Sequence, residues 1–332
     1  MKALRIDGLS ALFVFVWSSG YVVGALATEV APPLAVTLWR FVVAAVVLAA
    51  VAGWRRERWP RGRALWHLAA LGVPMFAVQF GALYQAMSEG LPAGTTALIT
   101  CSAPLVVATI GALAGWERLS AAQWSGVALG VVGVAVTLAD RVGRPPSVGT
   151  LLWALVGLAG LVCGTGLQAR IRTDAGHAAT AAVEVAAGAV VLAVWAPLAG
   201  SVAIPPTGHA LGAFGWLALV TGVGSPLLLF ALIRRQGATA ASSLLFVVPA
   251  VTALASWPVL GTPIGVGTVA GLVIVAVALR LVSRRAASPG SPAHVRPVRA
   301  GREPQHARAG QGEQRGTPLP AEGKLEGSRG AA

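Results

Sequence analysis

Charged residues are scarce in this chain of 332 residues, of which only 11% are Asp, Glu, Lys or Arg. Soluble domains carry roughly 25% charged residues, which keep their surfaces in water. Hydrophobic residues make up 56% of the sequence and the mean hydropathy is +0.74. Because so few charged side chains cannot cover this much apolar material in water, a soluble fold is excluded. The composition predicts an integral membrane protein.

Cysteine is scarce as well, since the chain holds only Cys101 and Cys163, both within apolar segments. One such pair provides neither a disulfide framework nor a metal site, so no metal is expected. The sequence lacks the glycine-rich phosphate loop of ATP-driven machines, which leaves direct ATP hydrolysis unsupported, and no cofactor is expected. The net charge of +13 does not indicate a nucleic-acid partner, because the basic residues lie between apolar runs and in the tail after residue 286.

Long apolar runs make up most of the remaining sequence. A helix needs about 20 apolar residues to cross a hydrocarbon core about 30 Å thick. The runs lack the period-two alternation of barrel strands, so their backbone polar groups must be satisfied within helices. The sequence therefore predicts an all-α integral membrane protein with ten transmembrane helices, near residues 8–27, 33–53, 64–87, 91–114, 120–139, 148–168, 178–199, 209–233, 238–259 and 263–283.

The basic residues also predict the orientation of these helices. If the N-terminus is cytosolic, nearly all Lys and Arg outside the helices and before the tail lie on the cytosolic side. The opposite side then holds only Arg141 and Arg144. We expect a multi-pass protein of the cell (inner or plasma) membrane with both termini in the cytosol.

An internal repeat divides the chain into two sets of five helices. A shift of 145 residues aligns Ala93 with Ala238, Pro104 with Pro249, and Gly126 with Gly271. Chance similarity between apolar segments is the alternative explanation of this alignment. Against it, the central proline, the short connection between the helices and the glycine all align at the same shift. The predicted units are a first repeat at 1–140, a second repeat at 141–285 and a disordered, basic, cytosolic tail at 286–332. Because five is an odd number, the first set starts on one side of the membrane and ends on the other, so the second set has the inverted orientation. Secondary transporters that work by alternating access are built in this way.

Several segments resemble the drug/metabolite transporter superfamily, and specifically its EamA-type members with ten helices. The resemblance covers residues 8–283. It is carried by WSSG at 17–20, PPLAVTLWRF at 32–41, the small-residue run ending at Pro104, WERLSAAQWSG at 116–126 and RRQGATAASSLLFVVP at 234–249. The chain departs from the family where members often carry a glutamate in both halves, because Glu117 aligns with Thr262.

The resemblance implies a secondary transporter that exports a small polar or amphipathic metabolite, an amino-acid-like one among the candidates, with proton coupling as a further hypothesis. The expected partners are a small-molecule substrate and the lipid bilayer, and a homodimer stays open. The alternatives are a flippase of lipid-linked substrates, a structural or receptor-like membrane protein and an intramembrane enzyme. The last is disfavoured because the spans hold no His pair, no Asp and no metal-ligand cluster.

Two charged residues lie well inside the predicted spans, and such residues are functional candidates because burying them in a membrane is costly. Arg40 is expected to bind a substrate carboxylate, to pair with Glu184 or helix carbonyls, or to extend to the outer lipid headgroups. Glu184 is expected to exchange a coupling proton, to act as a structural partner or to reach the inner face. The sequence leaves these alternatives open.

Neutral polar residues within the spans indicate the course of a substrate pathway, although Ser and Thr often bond to their own helix instead. The candidates are Trp17, Ser18, Ser19, Tyr21, Gln79, Tyr84, Thr96, Thr100, Gln168, Ser225 and Ser242. Pro104 and Pro249 are predicted to break the helices that contain them, either to let a helix move or as fixed kinks.

Overall fold

A computed structural model describes residues 7–115, 118–139, 146–168, 171, 173–200, 202–236 and 244–283. Within these ranges all regular secondary structure is helical. Ten spans are seen, which we number α1 Gly8–Val30, α2 Pro33–Trp54, α3 Arg63–Ser88, α4 Ala93–Leu113, α5 Ala121–Ala139, α6 Val148–Gln168, α7 His177–Leu198, α8 Gly208–Gln236, α9 Val248–Leu260 and α10 Val266–Ser283.

The fold class predicted from the sequence, an all-α membrane protein with ten helices in two inverted repeats, is confirmed. Spans α1 to α8 are long and apolar enough to cross a membrane, and α9 and α10 are shorter apolar helices. The predicted tail at 286–332 lies outside the described residues, as does Glu117. The first residues of the predicted ninth span also fall outside them.

The helix ends are fixed by local hydrogen bonds and by proline. Asp7 accepts hydrogen bonds from the Ser10 backbone N–H at 2.9 Å and the Ser10 hydroxyl at 2.7 Å, which caps α1. These hydrogen bonds from Ser10 stabilise the carboxylate and lower the pKa of Asp7. Pro33 starts α2, where its missing N–H has no cost. The end of the bundle where α1 starts and α2 finishes is called the N-side below.

Close helix packing stabilises the bundle, because lipid tails provide little hydrophobic driving force between helices. Between α2 and α7, Phe41, Leu48 and Leu192 are fully buried in one cluster. Between α5 and α10 the contact is closer still. A Cβ added at Gly271 would lie 1.9 Å from the Thr137 hydroxyl oxygen, so only glycine lets these helices approach so closely.

Two π-helical segments occur at equivalent places in the two repeats. The first is Val73–Val78 in α3 and the second is Trp216–Gly224 in α8. The repeat shift of 145 places 216–224 on 71–79, a range that contains the first segment. Wide helical turns of this kind weaken the regular hydrogen-bond ladder and are frequent at functional sites. The two halves therefore share a feature that hydropathy alone does not reveal.

Candidate substrate pathway

Helix α1 joins the two repeats through its predicted polar residues. The Ser18 hydroxyl donates to the Val248 carbonyl of α9 at 3.3 Å. The Ser19 hydroxyl accepts from the Trp216 indole N–H of α8 at 2.8 Å. The segment that carries the WSSG resemblance thus bonds to two helices of the second repeat.

Arg40 is buried and held by aromatic side chains. Its Nη1 donates a hydrogen bond to the Tyr84 hydroxyl of α3. The guanidinium carbon lies 4.6 Å from the ring centre of Phe80 and 5.2 Å from that of Phe41. Attraction between a cation and aromatic faces is strongest where water is excluded, and only 5% of Arg40 is exposed. The Arg40 Nε is buried and, in the described part of the chain, has no hydrogen-bond partner.

The surroundings of Arg40 bear on each of the three interpretations raised by the sequence. Within the described residues Arg40 forms no ion pair with Glu184, and the expected pairing with Glu184 or helix carbonyls stays a prediction. The Arg40 side chain is 5% exposed, so it is covered almost entirely by neighbouring residues. The geometry leaves a buried cation that is bound by a neutral phenol and aromatic faces, and this arrangement can accept an incoming carboxylate.

Tyr84 brings the Arg40 cluster to α1. A Cβ added at Gly24 would lie 3.0 to 3.1 Å from the Tyr84 ring and hydroxyl, so the phenol packs against the α1 backbone. Three turns of α3 carry Phe76, Phe80 and Tyr84, whose rings are 6.5 and 6.1 Å apart in succession. Sequence reasoning selected Tyr84 but missed Phe80, although the spacing of four residues places all three on one helix face.

Tyr21 forms a second polar contact, between α1 and α4. Its side chain interacts with those of Thr100 and Trp17. Thr100 also donates to the Thr96 carbonyl at 2.8 Å, and Thr96 donates to the Pro92 carbonyl at 3.0 Å. These two threonines therefore bond to their own helix, as Ser and Thr commonly do.

Glu184 is the second buried charged residue. It is 5% exposed, and its Oε1 has no hydrogen-bond partner among the residues that the structure describes. Its helix lies against α3, because a Cβ added at Gly72 would come within 2.0 Å of the Glu184 carbonyl oxygen. The backbone of α7 at Glu184 thus contacts α3 immediately before the π-helical segment Val73–Val78.

The remaining predicted residues divide by exposure. Gln79 and Ser225 are buried, whereas Gln168 is exposed at the last residue of α6. Ser242 lies outside the described residues. Pro104 lies in the first turn that follows a break of α4 at Ser102. Pro249 lies in the first turn of α9.

Thr252 was not selected from the sequence. Its hydroxyl oxygen is fully buried and has no hydrogen-bond partner within the described ranges. A helical threonine commonly donates to the carbonyl four residues earlier, which here belongs to Val248 and accepts from Ser18. Ser18 and Thr252 thus compete for the same carbonyl oxygen. No sequence signal identifies this competition, since it depends on how α1 packs against α9.

Similarity to known proteins agrees with this architecture. Residues 5–139 and 147–284 both match the EamA-like transporter family. The uncharacterized inner membrane transporter YedA of Escherichia coli K12 is 29% identical over 287 residues, covering 82% of this chain and 88% of YedA. A probable amino-acid metabolite efflux pump of the same organism is 31% identical over 137 residues, covering 41% of this chain and 44% of the pump.

A solved crystal structure has the same fold, with a TM-score of 0.57 at 18% sequence identity, over 83% of this chain and 96% of that one. At this identity the likeness concerns the fold alone. The family match covers both repeats and most of the chain. The chain therefore belongs to the EamA-like transporter family of the drug/metabolite superfamily, and it is a multi-pass membrane transporter of a small-molecule substrate rather than an enzyme.

Proposed function

We propose that this protein exports a small amphipathic metabolite with a carboxylate group, such as an amino-acid-like compound, across the inner membrane by alternating access. The buried Arg40 guanidinium carries this proposal, because within the described residues it has no carboxylate counter-ion. A relative named as a probable amino-acid metabolite efflux pump supports the substrate class. The name of YedA supports the inner membrane as the location.

The substrate carboxylate would bind the face of Arg40 that Tyr84 does not occupy. Carboxylate and guanidinium form paired, charge-assisted hydrogen bonds, which are about twice as strong as neutral ones. Phe80 and Phe41 fix the guanidinium plane and supply apolar surface. The polar contacts of α1 would hold the remainder of the solute near Ser18 and Tyr21.

Alternating access would use the equivalent π-helical segments of α3 and α8 as bending points. Both segments lie beside the proposed pathway, since Trp216 bonds to Ser19 and the ring of Phe76 stacks on that of Phe80. The arginines between the helices support cytosolic termini. The N-side would then be the side from which the solute is taken up for export.

Glu184 would carry the coupling proton. A buried carboxyl oxygen without a partner is costly to keep charged, and ionisable groups inside membranes commonly serve proton relays. Its helix contacts α3 at Gly72, so a change in the charge of Glu184 would alter the electrostatic field next to the first π-helical segment.

Comparison of metabolite release from cells with and without the protein tests the substrate class. We expect the released compounds to carry a carboxylate group, and the purified protein in liposomes should exchange the same compound across the bilayer. If only cationic or uncharged solutes were released, the proposed role of Arg40 would be wrong.

One observation favours the alternative of a lipid-linked substrate. An apolar groove of about 180 Å³ is lined by residues of α4, α9 and α10, among them Leu98, Pro249 and Leu279. Lateral entry of a lipid tail there would require apolar lining of this kind. Transbilayer movement of a labelled lipid-linked compound, with no exchange of soluble carboxylates, would favour this alternative.

A further inference from the structure

The connection between α2 and α3 concentrates arginine and tryptophan on the N-side. We propose that this connection, residues 54–66, is a binding surface for the headgroups of anionic phospholipids. Its five arginines are all exposed: Arg55, Arg56, Arg58, Arg61 and Arg63. The sequence places no more than two arginines in any other N-side connection. This surface is independent of the proposed substrate site.

Three tryptophans place the surface at the depth of lipid headgroups. Trp54 ends α2 and is 82% exposed, Trp66 lies in the first turn of α3 and is 74% exposed, and Trp59 between them is 43% exposed. Tryptophan favours the membrane interface, because its ring is apolar and its N–H finds water or headgroup partners. The arginines between these rings therefore lie where phosphate groups are found.

The acidic residue of the connection is turned away from the arginines. Glu57 accepts hydrogen bonds from the backbone N–H groups of Ala178 and Ala179, at 2.8 and 3.0 Å, at the start of α7. A carboxylate is stabilised at a helix N-terminus by the free N–H groups and the helix dipole. Because the Glu57 carboxylate is bound at the start of α7, it does not neutralise the arginines. Their positive charge therefore stays available to a lipid headgroup.

The backbone conformation at the end of α2 separates the Glu57 carboxylate from the arginines. Arg56 has φ of 51°, a left-handed conformation that favours glycine. The N–H of Arg56 donates to Gly53 O and that of Glu57 to Ala52 O, which closes the end of α2 and directs Glu57 to α7. The N–H of Gly176 then donates to Arg58 O at 2.9 Å. The surface is thus held by both repeats.

Arginine is suited to phospholipid because its planar guanidinium forms two hydrogen bonds to a phosphate. Each basic residue near an anionic membrane surface contributes about 1 kcal/mol. Removal of two arginines should therefore weaken the binding of an anionic lipid by about thirtyfold at low ionic strength.

Native mass spectrometry of the full-length protein in detergent tests the proposal, with titration of phosphatidylglycerol or phosphatidylcholine. We expect phosphatidylglycerol to bind more tightly, and R58Q/R61Q to lose about thirtyfold of that affinity. The matched control R118Q/R280Q removes two exposed N-side arginines outside the surface and should change affinity by less than about threefold. Equal losses in both variants, or none in R58Q/R61Q, would overturn the proposal.

Two further measurements separate lost charge from misfolding and lipid binding from phosphate binding. R58K/R61K keeps both charges and should bind within about tenfold of the wild type, which separates lost charge from misfolding. Inorganic phosphate at the concentration of the lipid should not displace phosphatidylglycerol. Displacement would mean that the surface binds soluble phosphate rather than a lipid, and this result would also overturn the proposal.

Discussion

Arg40 shows how a buried charge is tolerated with no ionic partner among the described residues. Its guanidinium has one hydrogen bond to Tyr84 and lies over the rings of Phe80 and Phe41. These contacts offset part of the cost of removing the charge from water, but none of the described residues accepts a hydrogen bond from the Nε. A bound carboxylate would supply what the protein lacks, so the residue is suited to a ligand that arrives and leaves.

Arg40→Gln should reduce the transport of a carboxylate solute by about tenfold to a hundredfold, because a hydrogen bond to a charged group contributes about 1.5–3 kcal/mol. Exchange of the radiolabelled solute by liposomes that contain the variant measures the effect. The control Arg118→Gln removes an exposed arginine and should leave exchange unchanged. Normal exchange by Arg40→Gln would remove Arg40 from the binding site.

Glu184→Gln should abolish uptake driven by a pH gradient and leave exchange without a gradient intact, because the amide has nearly the same shape but cannot carry a proton. Liposomes with an imposed pH gradient measure both rates. Glu29→Gln is the control, since Glu29 is exposed at the end of α1. Gradient-driven uptake at the wild-type rate in Glu184→Gln would show that the coupling proton is carried elsewhere.

The sequence identified which residues are unusual more readily than what they contact. Arg40, Glu184 and Tyr84 stand out because charged and phenolic groups are costly in lipid, and all three are buried. One of the three alternatives for Arg40 was a pairing with Glu184 or helix carbonyls, whereas the structure shows a hydrogen bond from its guanidinium to the Tyr84 hydroxyl. Hydropathy fixes how deep a residue lies but not the rotation of its helix, and rotation decides which side chains meet.

At the scale of helices, length was predictable and internal irregularity was not. The sixth span was predicted at 148–168 and is observed at Val148–Gln168, because the apolar run has clear ends. The π-helical segments Val73–Val78 and Trp216–Gly224 gave no comparable signal. Pro74 accompanies the first, but within the second segment there is no proline. Such turns depend on the packing of neighbouring helices. Gly72, for example, directly precedes the first segment and lies against the backbone of α7.

Gly72→Ala should lower the free energy of unfolding by about 1–3 kcal/mol, because the new Cβ would lie 2.0 Å from the Glu184 carbonyl oxygen and would separate α3 from α7. Thermal unfolding in detergent measures the change. Gly53→Ala is a matched control, since nothing lies within 4 Å of its added Cβ. An unfolding temperature of Gly72→Ala at or above that of Gly53→Ala would contradict the close contact.

At the scale of the whole molecule, side chains at the bundle ends connect the two repeats on both sides. On the N-side, Gln236 donates to the Asp7 carboxylate at 3.2 Å. On the opposite side, Thr150 donates to the Glu89 carboxylate at 2.9 Å, and the Trp39 indole donates to the Val202 carbonyl at 2.8 Å. A transporter that opens to one side at a time must break such contacts in turn.

The proposed transport mechanism requires two sets of five helices that are inserted in opposite senses, with the N-side in the cytosol. Single cysteines can replace exposed polar residues at both ends of both repeats, in a chain without Cys101 and Cys163. The N-side positions are Ser120 and Thr173, and those of the opposite side are Ser88 and Thr207. We expect a membrane-impermeant thiol reagent on intact spheroplasts to label the cysteines at Ser88 and Thr207, and those at Ser120 and Thr173 only after permeabilisation. Labelling of Ser120 and Thr207 positions together from outside would contradict the inverted arrangement and the alternating-access mechanism that depends on it.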